Sequence, residues 1–152
     1  MLNITIIAVG KIKEAFLNEV ALSYIKRIKP YGRLKIEEVK AEAFSVAYKD
    51  KTKKIEGEKI QSILDRKSEA QIYLMAEHGT LFNSQEFAVK LNSTQEIVLV
   101  IAGSLGFAQE LENKYPKISL SPLTFPHELA RVVLLEQIYR AATIINKKEY
   151  HY

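Results

Sequence analysis

Residues 96–103, EIVLVIAG, contain five consecutive aliphatic positions, Ile97 to Ile101, most of them β-branched. A strand with one face in water alternates polar and apolar residues. A continuous apolar run of this length suits a strand buried on both faces, as in a parallel sheet sandwiched between helices. The other segments fall into the same scheme. NITIIAVG (3–10), LKIEEVKA (34–41), AQIYLMAE (70–77) and KISLSP (117–122) read as strands. Between them lie helical periods. KEAFLNEVALSYIKRI (13–28) spaces Phe16, Val20, Tyr24 and Ile28 four apart, with Leu17 and Ile25 beside them, and Pro30 and Gly32 end it. A loose polar loop follows the second strand, and the next helix is built on Ile55, Ile60, Ile63 and Leu64. Asn83 and Glu86 form a capping box opening a helix through Phe87, Ala88 and Leu91. A short helix spans 108–115. The last runs from Pro126 to about Asn146, with Leu129, Val132, Val133, Leu135, Ile138 and Tyr139 as its core face. The expected fold is α/β, a mostly parallel sheet covered by helices on both faces, in a single domain over 1–152.

The chain's 152 residues suffice for one substantial core. It has no cysteine, which removes disulfides, thiolate nucleophiles and cysteine-based zinc sites, and suits a cytoplasmic protein. No apolar stretch approaches the roughly 20 residues of a membrane span. The opening MLNITIIAVG lacks a basic flank and reads as a first strand, not a signal peptide. The net charge of +4 permits a polyanionic partner, and much of the excess lies in YKDKTKK, 48–54. That run reads either as a solvated lysine loop or as a flexible arm that contacts phosphates.

In such sheets ligands sit at the carboxyl ends of the strands. Three of those ends carry distinctive residues: MAEHG (75–79), IAGSLG (101–106) and SPLTFPH (121–127). The glycines of IAGSLG fit neither the dinucleotide fingerprint nor a P-loop, which counts against a nucleotide-using oxidoreductase. Gly103 and Gly106 serve either a plain turn or a ligand that needs close backbone approach. Pro122 and Pro126 stiffen the stretch before the last helix, fixing its backbone N–H and C=O groups. Glu136 and Arg140 are spaced to pair on one helix face. Arg131 has Glu128 three residues before it, and is otherwise a candidate for phosphate or base contact. The terminal Tyr150, His151 and Tyr152 are either a surface tail or a group suited to a base and a phosphate.

VLVIAGSLG, LSPLTFPHELARVVLLEQIYRA, the terminal YHY and the opening ITIIAVGKIKEAF together resemble the ribosomal RNA large subunit methyltransferase H family over nearly the whole chain. The resemblance implies a SPOUT-class fold with a C-terminal trefoil knot. It implies S-adenosyl-L-methionine-dependent methylation of N3 of a pseudouridine in helix 69 of 23S rRNA, on assembled ribosomes, by a homodimer that needs no metal. Carried over position by position, the cofactor contacts fall on Met75, on Gly103 and along Leu120, Ser121, Pro122, Leu123, Thr124 and Phe125. The catalytic and RNA-facing residues fall on Arg131, Arg140, Tyr150 and His151. Gly103 is expected to let the backbone run close beneath the cofactor, and Gly106 to turn the chain. His127, at a helix start, is expected to be mainly structural. The sequence departs from the family pattern at Ala76, Ala102 and Tyr152, which leaves a catalytically silent RNA- or ribosome-binding module on the same fold as the alternative.

Overall fold

The computed structural model describes residues 1–43 and 46–152. Five strands form one sheet in which every pairing is parallel: β1 (Leu2–Val9), β2 (Gly32–Val39), β3 (Gln71–Leu81), β4 (Ile97–Ile101) and β5 (Lys117–Ser119), ordered β2-β1-β4-β3-β5. The aliphatic run is therefore the middle strand, and all five of its residues are buried. Its side chains alternate between two cores. Ile97, Leu99 and Ile101 face α1 (Ala15–Ile28), α3 (Ser84–Leu91) and α5 (His127–Ile145). Val98 and Val100 face α2 (Lys49–Leu64) and α4 (Gln109–Lys114). The register carries this across the sheet, with Ile6 opposite both Ile36 and Leu99, and Leu99 opposite Tyr73.

Asn83 caps α3 as expected: its side chain accepts from the Glu86 N–H at 2.9 Å, and the Asn83 N–H donates back to Glu86 at 2.8 Å. Other boundaries move. β3 runs on to Leu81 because β5 pairs with its far end, Thr80 opposite Ile118, after an irregularity beyond Met75. The strand expected over 34–41 starts at Gly32, directly after a 3-10 turn at Lys29–Tyr31 that contains Pro30. The lysine run is not a loop. Lys49 begins α2, whose buried stripe is Thr52, Glu56, Ile60 and Leu64. The rest of the expected polar loop includes 44–45, which lie outside the described residues.

In α1 the period is right and the buried face is rotated. Ala21 and Ile28 are buried with Leu17 and Ile25 packed beside them, while Phe16 is 64% and Val20 41% exposed. In α5 the core positions include Leu134, which the expected face omitted, and Leu129 and Val133 are only half-buried. No helix is long and apolar enough to cross a membrane among the described residues.

Candidate active site

After β4 the chain makes a tight turn in which the Gly106 N–H donates to the Gly103 carbonyl at 3.1 Å. Gly106 has φ +84°, a left-handed conformation that costs a residue with a Cβ about 1–2 kcal/mol. The turn forms one wall of a cleft of about 700 Å³ at the carboxyl ends of β3, β4 and β5. The second wall is the stretch of β3 just past its pairing with β4, Met75 to His78, and the third is the loop from Leu120 to Pro126 that leads into α5. Apolar surface from Met75, Ile101, Leu123 and Phe125 meets polar groups from Glu77, Ser104, Ser121, Thr124 and His127. An open cleft of this size, mostly apolar with a few fixed polar groups, suits a small-molecule ligand.

The polar groups are tied in place. Ser119 Oγ donates to the Glu77 carbonyl at 2.9 Å, and Thr124 Oγ1 to Glu77 Oε1 at 3.4 Å, so the end of β5 and the loop after it are each fastened to β3. Ser121 Oγ accepts the Leu123 N–H at 3.1 Å. His127 Nδ1 lies 3.4 Å from Ser104 Oγ and joins the start of α5 to the glycine turn. His78 Nε2 lies 2.9 Å from Glu112 Oε1, and both residues line the cleft.

Of the residues expected at a cofactor, Met75, Gly103, Leu120, Ser121, Leu123, Thr124 and Phe125 line this cleft, and Pro122 does not. The space at Gly103 differs from expectation. A Cβ there would point away from the cleft, to within 3.1 Å of both Glu56 Oε1 and Val9 Cγ1. At position 103 the small residue suits the tight packing behind the turn, whereas the left-handed backbone belongs to Gly106. Glu56 is only 6% exposed, and its Oε2 accepts the Glu42 N–H at 3.0 Å. Burial pushes its carboxyl above the ordinary range, and that hydrogen bond pulls it part of the way back. Sequence reasoning missed Glu56. The signal was there: an acid on the same helical stripe as Thr52, Ile60 and Leu64.

Arg140, Tyr150 and His151 come together elsewhere, and none of them lines the cleft. Arg140 Nη2 donates to Glu136 Oε1 at 2.6 Å, the helix pair that the spacing allowed, and Arg140 Nη1 lies 3.3 Å from His151 Nδ1. The Tyr150 hydroxyl donates to the same Glu136 oxygen at 3.1 Å. Its ring stands edge-on to Tyr139 at 4.7 Å and lies 4.8 Å from the Arg140 guanidinium carbon. Burial, then hydrogen bonding with Tyr24 and Glu136, pushes the Tyr150 phenol far above its ordinary range, so it stays protonated and donates. Hydrogen bonding to Glu136 raises Arg140 further. The tail is thus folded onto α5 and not frayed. Arg131 joins neither group. It is 4% exposed and paired with Glu38, not with Glu128, whose carboxylate instead accepts the Lys13 N–H at 2.5 Å.

A family profile described as Predicted SPOUT methyltransferase matches residues 2–151. Among named proteins, the chain is 41% identical to the ribosomal RNA large subunit methyltransferase H of Acetivibrio thermocellus, over 99% of each chain. It is 40% identical to that of Carboxydothermus hydrogenoformans, over 99% of each. It is 37% identical to that of Kosmotoga olearia, over 99% of this chain and 100% of the other.

Proposed function

The chain belongs to the ribosomal RNA large subunit methyltransferase H family of SPOUT methyltransferases, and on that premise we propose that it methylates N3 of a pseudouridine in helix 69 of 23S rRNA, on assembled ribosomes, with S-adenosyl-L-methionine as the methyl donor. The observation that carries this reading is the cleft around the Gly103–Gly106 turn. Its size, its apolar floor of Met75 and Ile101 and its fastened rim fit a ligand that is part nucleoside and part amino acid. Met75, Gly103, Leu120, Ser121, Leu123, Thr124 and Phe125 would hold the cofactor, and Pro122 would stiffen their loop. When bound, S-adenosyl-L-methionine supplies a methyl group on a sulfonium centre, open to in-line displacement.

The protein's own contribution is mainly position and orientation. Glu77 pins the 119–124 segment from both its carbonyl and its carboxylate, so the rim is set before a ligand arrives. Arg140, held by Glu136, offers a fixed positive charge to a phosphate or a base. Tyr150, kept protonated, serves as a donor and a stacking surface. The N3 proton of the pseudouridine has to leave, and His151, beside Arg140, is the candidate to take it. Arg131 serves from within, by holding the start of α5 to β1 and β2.

The same reading takes the segment after β4 as a trefoil knot, which the placement of β5 beyond β3 and the return of α5 over the opposite core support. It takes the working unit as a homodimer, which exposed Phe16 and Val20 on α1 support, acting in the cytoplasm.

The test is methyl transfer from labelled S-adenosyl-L-methionine to ribosomes purified from cells lacking the protein, followed by primer extension across helix 69. A new stop at one pseudouridine is expected. No incorporation with calorimetrically bound cofactor would overturn the substrate; no cofactor binding would favour the silent module.

A further inference from the structure

We propose that the first two turns of α2 form a docking face for the phosphate backbone of the substrate RNA, beside the cleft and distinct from the tail. The inference rests on the rRNA reading above and adds where the RNA is held.

Lys49, Lys51, Lys53 and Lys54 stand against a single acid, Asp50, a local excess of +3 in a chain whose net charge is +4. They occupy the amino end of a helix, where the dipole opposes positive side chains. Four cations in that place are unfavourable to the isolated helix, and an anion bound there would relieve them. Among the described residues, no ion pair uses any of the four. Lys59, farther along the same helix, is already paired with Glu42.

Position decides the occupant. Because α2 starts at the carboxyl end of the sheet, its first turns lie at the same end as the cleft. Lys53 shares a crevice with Glu56, Gly103 and Gly106, on the reverse side of the turn whose front lines the cleft. Lys51 and Lys54 point outward and are exposed. Tyr48, 64% exposed, precedes them and adds an aromatic surface to the basic one. A membrane surface fits less well. An interfacial helix offers an apolar face to lipid, whereas the apolar residues Ile60 and Leu64 of α2 are buried against the sheet. The face and the cleft share the Gly103–Gly106 turn as a common wall, so one extended polyanion can engage both.

The test compares the parent with a K49Q/K51Q/K53Q/K54Q variant of the full chain. Binding to purified assembled ribosomes is followed from about 50 to about 300 mM salt, with S-adenosyl-L-methionine calorimetry reporting the cleft. The variant is expected to bind cofactor like the parent. Its log affinity against log salt should be shallower by about 0.7–0.9 per lost phosphate contact, about 3–4 in total when all four lysines make one. Methyl transfer at physiological salt should fall and recover at low salt. An unchanged slope, with the parent methylating normally, overturns the docking face and leaves the enzymatic reading intact. A shallower slope with no methyl transfer by the parent sinks the enzymatic reading and keeps the face. Lysine-dependent binding to phosphatidylserine vesicles, with no lysine dependence on ribosomes, overturns it in favour of lipid.

Discussion

Arg131 on α5 reaches Glu38 on β2, Nη1 to Oε2 at 2.9 Å, while its Nη2 donates to the Gly10 carbonyl at 2.7 Å. One buried guanidinium thus joins the last helix to the ends of the first two strands. Its Nε is buried without a partner, so only two of its donor nitrogens anchor it. Removing it leaves a carbonyl unpaired and a cavity behind α5. We expect Arg131→Ala to lower unfolding stability by about 3 kcal/mol. Arg131→Lys should restore less than half of that, since one ammonium cannot span both acceptors. Urea denaturation measures both; a loss under about 1 kcal/mol would put the pair in the class of surface salt bridges.

The two glycines of the β4 turn should respond for different reasons. Gly103→Ala places a Cβ against Glu56 and Val9 and is expected to cost about 1–3 kcal/mol as an overpacking change. Gly103→Val should cost more and abolish cofactor binding by pushing the turn into the cleft. Gly106→Ala meets nothing within 4 Å and should cost about 1–2 kcal/mol from its φ alone. Calorimetry and urea titration of all three check this; parental cofactor affinity in Gly103→Val would remove Gly103 from the site.

Glu56 gives a pH signature. Its folded pKa is raised above the ordinary 4.5, so the folded state holds this proton more tightly than the unfolded chain. Its contribution is most favourable below 4.5 and is lost as pH rises through the raised folded value. Glu56→Gln keeps an acceptor for the Glu42 N–H and removes the buried charge. The variant should be more stable than the parent at pH 7 and nearly equal at pH 4, by thermal unfolding at both. A destabilised variant at pH 7 would mean that the ionised form is needed where it sits.

Phe16 and Val20 leave an apolar strip on α1. We expect a dimer by light scattering at micromolar concentration, and a shift to monomer in Phe16→Glu with the helical signal retained. A parent that is monomeric at that concentration would end the assignment.

The tail should separate chemistry from cofactor binding. Removing Tyr150–Tyr152 deletes the edge-on contact with Tyr139 and the bond to Glu136, and should cost about 1–2 kcal/mol of stability. Methylation should collapse through both the ribosome KM and the turnover number, while cofactor affinity changes little. Tyr152 is fully exposed, so Tyr152→Arg should equal or exceed the parent and steepen the salt slope by about 0.7–0.9. Single-turnover methylation by the two variants is the measurement; a truncated protein working at the parental rate would remove Tyr150 and His151 from the mechanism.

Elements that depend on local pattern were legible in the chain. The five residues of β4 announce two-sided burial, and Asn83 with Glu86 announces a helix start. What was not legible depends on distant partners. β3 extends to Leu81 only because β5, some forty residues later, pairs with Thr80 and Leu81. Phe16 and Ala21 belong to one helical period, and only the position of α5 decides which is covered. The residues lining the cleft came from a family resemblance, whereas Glu56 needed the packing of α2 against the glycine turn.

The strand order sets a timetable for synthesis. β1 can pair with β2 as soon as both leave the ribosome, but β3 borders only β4 and β5, which are made after it. Until Ile97–Ile101 arrives between them, a nascent chain holds a two-stranded piece and a solitary strand with nothing joining the two. Such non-local parallel pairing is slow and leaves unpaired edges open to misassociation. A translational pause that keeps Ile97–Ile101 inside the ribosome would therefore prolong the hazard, and one that comes after β4 has emerged beside β1 and β3 would not.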